Sequence, residues 1–205
     1  QDAEPFVKPP RDGVHRATLV YLPSFESGSK DYVHKEYLFS MDGLRVVIPR
    51  TQKLPITARR KLACCDNLTD QDGKAEVELD QATLVATRAR IHALLEQERK
   101  HLHGGGVEAA EGGSGFGNSA RSRVLIIGGC SQGCAAALDA ALTYGPQLAG
   151  FIGVTGHYLS ATPLGQHLDM PLHFFMGAKD GAVRWSCAKD SLSSLQEAGY
   201  KRLVV

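Results

Sequence analysis

The chain reads as an α/β protein with a mostly parallel sheet and helices on both faces, and three observations predict it. Short, fully apolar runs recur along the sequence: ATLVYLP from Ala17, VLIIGG from Val124, LAGFIGVTG from Leu148 and MPLHFFMG from Met170. Strands buried on both faces have this continuous character, whereas half-buried strands alternate. Helix-compatible segments lie between the runs, and crossovers between parallel strands place such helices on the sheet faces. Finally, 205 residues at 43% hydrophobic content suffice for one domain with a real core, with little room for a second of full size.

Composition narrows the partners. The formal charge is +1 with 22% charged residues, so no excess of either sign argues for nucleic acid or an anionic membrane surface. A small-molecule or protein ligand is expected. Five cysteines, two of them adjacent at Cys64 and Cys65, form neither a CxxC pair nor a zinc spacing. Reduced thiols, a cytoplasmic setting and no metal are the expectation. No apolar run is long enough to span a bilayer, and the opening QDAEPFVKPPRDG lacks the apolar core of a signal peptide. Starting at Gln1 without Met and closing on KRLVV within a strand-like run, both ends read as cut.

Taken in order, residues 1–16 are rich in Pro and charge and read as a tail, leaving residues 17–205 as the single domain. ATLVYLP is the first core strand, bounded by Pro23; DYVHKEYLFS is helix-compatible; LRVVIPR is a second β-branched strand closed by Pro49. Residues 51–73 are irregular and polar. The following ELDQATLVATRARIHALLEQERKHL places Leu84, Ile91, Leu95 and Leu102 on one face of a long helix, with Asp80 as its N-cap and Lys100 and His101 at the negative end of its dipole. HGGGVEAAEGGSGFGNSA, at about 103–120, is too rich in Gly to offset its ordering entropy by burial and reads as a flexible insertion. Then come strand SRVLIIGG, helix CSQGCAAALDAALTYG stopping at Gly145, strands LAGFIGVTG and MPLHFFMG, helix RWSCAKDSLSSLQEAG with Ala188, Leu192 and Leu195 inward, and strand KRLVV.

Ligands of parallel sheets sit beyond the carboxyl ends of the strands, here near Pro23, Pro49, Gly129, Thr155 and Gly177. One of these ends carries Gly129-Cys130-Ser131-Gln132-Gly133, a GxSxG pattern at a strand-to-helix junction. Such a turn lifts a serine hydroxyl out of the sheet beside the positive end of a helix, where the backbone N–H of Gln132 can meet an oxyanion. A Gly-rich bend holding a serine by chance is the plain alternative. A dinucleotide fingerprint fits poorly, because Cys130 stands where GxGxxG needs its middle glycine. Asp180 follows MPLHFFMG by a short loop, where a carboxylate can orient an imidazole; an ordinary Asp-Gly turn with Gly181 is the alternative.

IIGGCSQGCAAALDAAL resembles the GFSQGG-type elbow of the acyl-protein thioesterase and carboxylesterase family of α/β hydrolases. LAGFIGVTGHYLS is similar to the strand and Ser-Gly-aromatic-Leu loop that follow it there, and PLHFFMGAKDGAVRW to the HGxxDxxVP segment, which puts Asp180 on the triad acid and matches Gly177 and Val183. VYLPSFESG resembles the HGxGDxxxxW oxyanion loop, with Leu22 and Pro23 on its His-Gly, Ser24 on the residue whose N–H completes the oxyanion hole, and Glu26 on the acid. IPRTQKLPIT is similar to PxAPxxxVT, and ARRKLACCDNL lies where the family carries Trp-aromatic-Asp, with Cys64 and Cys65 replacing the aromatics and Asp66 retained. The resemblance implies an α/β-hydrolase fold and a cofactor-free serine hydrolase of acyl esters or thioesters, acting on lipidated proteins or lysophospholipids. Its histidine falls several residues beyond Val205, so the chain as given is expected to lack its C-terminal loop and helix. His157, in a loop at the carboxyl edge, is the substitute base. A catalytically inactive hydrolase fold serving as an assembly subunit is the other reading.

Overall fold

The computed structural model describes residues 5–25, 27–33, 39–50, 53–55, 60–62, 80–104, 123–180 and 185–205. Among these, seven strands form one sheet in the order β1-β3-β2-β6-β7-β8-β9: β1 Phe6–Lys8, β2 Ala17–Leu22, β3 Leu44–Ile48, β6 Val124–Cys130, β7 Gly150–Val154, β8 Leu172–Phe175 and β9 Leu203–Val204. All pairs are parallel except β1 with β3. Strands β4 (Lys53–Pro55) and β5 (Arg60–Leu62) make a separate antiparallel pair within the segment that the sequence leaves irregular. The helices are α1 Lys30–Val33, α2 Gln81–Gly104, α3 Gln132–Thr143 and α4 Trp185–Glu197.

The supposed tail is corrected by β1. Phe6–Lys8 pairs with Val46–Ile48 at the sheet edge, and Phe6 packs with Leu19, Val46 and Ile48. A Phe-Val pair is enough apolar surface for one short edge strand, and Pro5 and Pro9 on either side limit its extension, as prolines do at sheet edges. Most of the expected helix from Asp31 to Ser40 and the Gly-rich insertion from 105 onward lie outside the described residues.

One face of the sheet is covered by α2, α3 and α4, which enclose Val20, Ile127, Phe151, Leu172 and Phe174 with Leu95, Leu138 and Leu195. On the other face, Tyr32 and Phe39 pack against Tyr21 beside the smaller Phe6 cluster. Helix α2 begins as its sequence predicts: the N–H of Ala82 donates to Asp80 Oδ1 at 3.0 Å, and Leu84, Ile91, Leu95 and Leu102 are buried. Ala188 and Leu195 of α4 are buried as well.

A carboxylate lies inside this core. Asp139 sits in the apolar run AAALDAAL of α3 and is 1% exposed. Arg88 of α2 donates to both its oxygens, at 2.8 and 2.6 Å, and the hydroxyl of Thr162 donates at 2.6 Å. The bidentate guanidinium and the hydroxyl satisfy the charge where water is excluded, which is the condition for burying it at tolerable cost. Three segments are thereby tied at one point. Asp139→Ala, which takes the acceptor from the partly exposed Arg88 and from Thr162, is expected to lower unfolding stability by about 1.5–3 kcal/mol, read as a shift in the urea midpoint. Thr162→Val, which removes one of the three donors, is expected to cost only about 1 kcal/mol.

Candidate active site

Register aligns the loops that matter. Leu22 pairs with Gly129, Cys130 with Val154, and Val154 with Phe175, so the carboxyl ends of β2, β6, β7 and β8 lie along one edge. Ser24, Ser131, His157 and Asp180 all follow within a few residues of those ends. Adjacent strands lie about 4.8 Å apart, so Ser24 leaves a strand next to that of Ser131, while Asp180 leaves one two strands away, roughly 10 Å along the edge. That gap is wide enough for an imidazole between serine and carboxylate.

Ser131 is the turn itself. Its φ of 53° and ψ of −122° are strained for a residue with a Cβ, and its hydroxyl does not cap α3. The turn is held through the backbone: Ser131 N–H donates to Val154 C=O at 2.9 Å, and Ala135 N–H donates to Ser131 C=O at 3.2 Å. The hydroxyl is left for other chemistry, at the N-terminal end of a helix whose dipole favours negative charge there. Gln132 is the first residue of α3, so its N–H lies in the first turn of the helix, at the positive end of its dipole.

Close approach fixes where this turn sits. A Cβ on Gly133 would lie 2.1 Å from the carbonyl oxygen of Pro23 and 2.5 Å from that of Leu22. A Cβ on Gly129 would lie 2.4 Å from Gly133 O, and one on Gly156 would lie 2.3 Å from Cys134 Sγ and 3.2 Å from Ser131 O. The loop bearing Ser24 is thus in direct contact with the first turn of α3. It is also braced locally: Ser27 N–H donates to Ser24 C=O at 3.1 Å, and Gly28 N–H to Asp31 Oδ2 at 2.8 Å.

The remaining residues divide plainly. Asp180 is half-buried and its N–H donates to Gly177 C=O at 3.0 Å, forming the short turn after β8. His157 is half-buried, two residues past Thr155, whose φ is 43° and whose N–H donates to Phe175 C=O at 2.9 Å. Burial holds the His157 imidazole below its ordinary pKa of 6.5, so it is neutral at pH 7. Cys134 fills the contact between Gly153 and Gly156; burial pushes its thiol up to about 12, which keeps it protonated and inert. Glu26, Cys64, Cys65, Asp66 and Val183 lie outside the described residues. Sequence reasoning missed Asp139 and the fit of Cys134 against two glycines, although a lone acid in an Ala-Leu helix is itself a signal of a buried partner. Among the described residues no group of His, Cys, Asp and Glu is placed to hold a metal ion, and no helix is long and apolar enough to cross a membrane.

The sequence pattern of the phospholipase/carboxylesterase family matches residues 41–201. The chain belongs to that family. As a phospholipase/carboxylesterase family member it is 24% identical, over 172 residues, to acyl-protein thioesterase 1 of Neurospora crassa. That match takes in 78% of this chain and 63% of the relative, so the chain spans less than two thirds of that protein's length. Among solved structures, acyl-protein thioesterase 2 of Zea mays is similar with a TM-score of 0.73 at 20% identity, covering 98% of this chain and 87% of that one. The Bacillus cereus carboxylesterase gives 0.68 at 12% identity, covering 98% and 82%. The family assignment and the α/β-hydrolase fold therefore stand as the sequence resemblance implied.

Two outcomes are expected. Gly133→Ala forces a methyl group into two backbone carbonyls and is expected to abolish soluble, cooperatively folding protein, whereas Gly145→Ala, with open space around it, leaves the unfolding midpoint little changed; equal behaviour of the two would contradict the packing. His157 is neutral in the fold and charges below pH 6.5 once unfolded, so stability falls as pH drops through that value. His157→Asn should retain more of its pH 8 stability at pH 5 than the unsubstituted chain, compared by urea unfolding at both pH values.

Proposed function

We propose that the protein is a serine hydrolase of carboxylic esters or thioesters, with Ser131 as nucleophile. The observation that carries this reading is the positive φ of Ser131 at the end of β6, with a hydroxyl not spent on capping α3. In this reading Ser131 Oγ attacks the acyl carbon, the N–H groups of Gln132 and Ser24 hold the oxyanion, and Asp180 orients the histidine that takes the serine proton and returns it to the leaving group. That histidine belongs to the segment following β9, beyond Val205, since the next loop after β9 opens at the same sheet edge; His157 is the substitute. The reaction draws on side chains and backbone N–H groups alone. Acyl groups on lipidated proteins or lysophospholipids, met in the cytoplasm, are the proposed substrates, in line with the acyl-protein thioesterases among its relatives.

One observation favours a second reading, a catalytically inactive hydrolase fold acting as an assembly subunit: Leu22-Pro23 stands where the family's oxyanion loop has His-Gly. A fluorophosphonate probe on the natural full-length protein separates the two. Labelling that disappears in Ser131→Ala is expected, together with a loss of about 10⁴-fold in kcat on an activated ester for Asp180→Asn. Folded protein that takes no label sinks the hydrolase reading and leaves the assembly role.

A further inference from the structure

A cavity of about 360 Å³ lies between α2 and the β1, β3 and β2 strands. Its floor and walls are apolar: Val7 of β1, Val47 of β3, Leu22 and Pro23 at the end of β2, and Ile91 and Leu94 on α2. This volume is at the lower end of small-molecule sites, which pair apolar walls with a few placed polar groups. Among the described lining residues are Arg45, Arg50 and Arg90 and one carboxylate, Glu98, and Arg90 is the arginine of interest.

That carboxylate is already committed. Arg45 donates to both Glu98 oxygens, at 2.9 and 3.3 Å, in a pair whose Glu98 side chain is 4% exposed. Arg90 is different: it is exposed and donates to the hydroxyl of Thr87 at 3.0 Å, and no carboxylate pairs with it among the described residues. A guanidinium at the mouth of an apolar groove suits a planar anion, because its fork donates two parallel hydrogen bonds to a carboxylate. A neutral lipid would leave that donor set unused, and a cationic one would be repelled.

We infer that this groove binds a single-chain amphiphile with a carboxylate head, a medium-length fatty acid, its tail along Val47, Ile91 and Leu94 and its head at Arg90. The site is independent of the proposed hydrolase chemistry, though Leu22 and Pro23 line it and their carbonyl oxygens also abut Gly133 of the elbow.

Calorimetric titration of sodium decanoate into the natural full-length protein tests the inference. Decanoate is expected to bind at one site, more tightly than decan-1-ol or decyltrimethylammonium, and octanoate roughly tenfold more weakly for the loss of two buried methylenes. Arg90→Glu, a surface change, should weaken decanoate at least tenfold while leaving decan-1-ol unaffected; Leu94→Asp should remove both, with circular dichroism showing that the variant is folded. Absence of decanoate binding, decanoate no tighter than decan-1-ol, or an Arg90→Glu variant that binds decanoate as before would each overturn it.

Discussion

The first turn of α3 is pressed between the ends of β2 and β7 with no room for a methyl group, and the candidate site depends on that fit. Gly133 lies against the carbonyl oxygens of Leu22 and Pro23, while Cys134 fills the space beside Gly153 and Gly156. Because the helix cannot move away, the residue linking β6 to it must complete the reversal alone, and Ser131 does so at φ 53°. A non-glycine residue held at positive φ costs on the order of 1–3 kcal/mol and persists only where its surroundings over-determine it. Here they do: every residue from Gly133 to Leu142 is buried, so the apolar area that α3 removes from water outweighs the strain of one turn.

The same helix carries the charge that orders its neighbours. A buried ion pair contributes little net stability compared with an apolar pair of equal volume, but it tolerates few geometries. Asp139 accepts from Arg88 of α2 and from Thr162 in the loop after β7. A sliding of α2 by one turn, which apolar contacts alone would resist weakly, would take the guanidinium away from a carboxylate buried in the core. Close by, His92 of α2 lies 3.0 Å from Ala140 O and 3.2 Å from the Thr143 hydroxyl, a second polar tie between the same two helices. Helix α2 in turn forms one wall of the Arg90 cavity. Packing at the elbow and the shape of the groove are thus set by one helix pair.

Much of this was legible in the residues. Apolar runs gave β2, β3, β6, β7, β8 and β9; central strands such as β6 need no polar alternation, whereas β8 alternates, with His173 and Phe175 exposed. Leu84, Ile91, Leu95 and Leu102 announced the buried stripe of α2, and Asp80 its start. The GxSxG junction announced the strained serine, because its glycines report close backbone approach and not merely flexibility. What was hidden is long-range. Three residues of β1 carry too little periodicity to stand out of a Pro-rich segment; their strand exists because the edge of β3 offers unpaired N–H and C=O groups. Arg88 and Asp139 are separated by 51 residues and Arg45 and Glu98 by 53, so neither pairing has a local spacing to betray it.

The departure at Leu22-Pro23 shows why motif letters and site chemistry separate. An oxyanion hole is made of backbone N–H groups, so what matters at position 24 is where the main chain runs, and a side-chain change upstream matters only as far as it moves that path. Two constraints on the path are independent of the family's His-Gly. The carbonyl oxygens of residues 22 and 23 are set against Gly133, and the turn that follows is closed by Ser27 N–H on Ser24 C=O and by Asp31 Oδ2 receiving the Gly28 N–H and the Ser27 hydroxyl. Proline at 23 lacks a donor one residue before the one the proposed oxyanion hole uses and stiffens φ at the point of exit from β2. The side chains have changed while the supports of the backbone at Ser24 are supplied from within this chain, so under the proposed hydrolase reading the altered letters bear on what the loop presents to a substrate more than on the path of the main chain at residue 24.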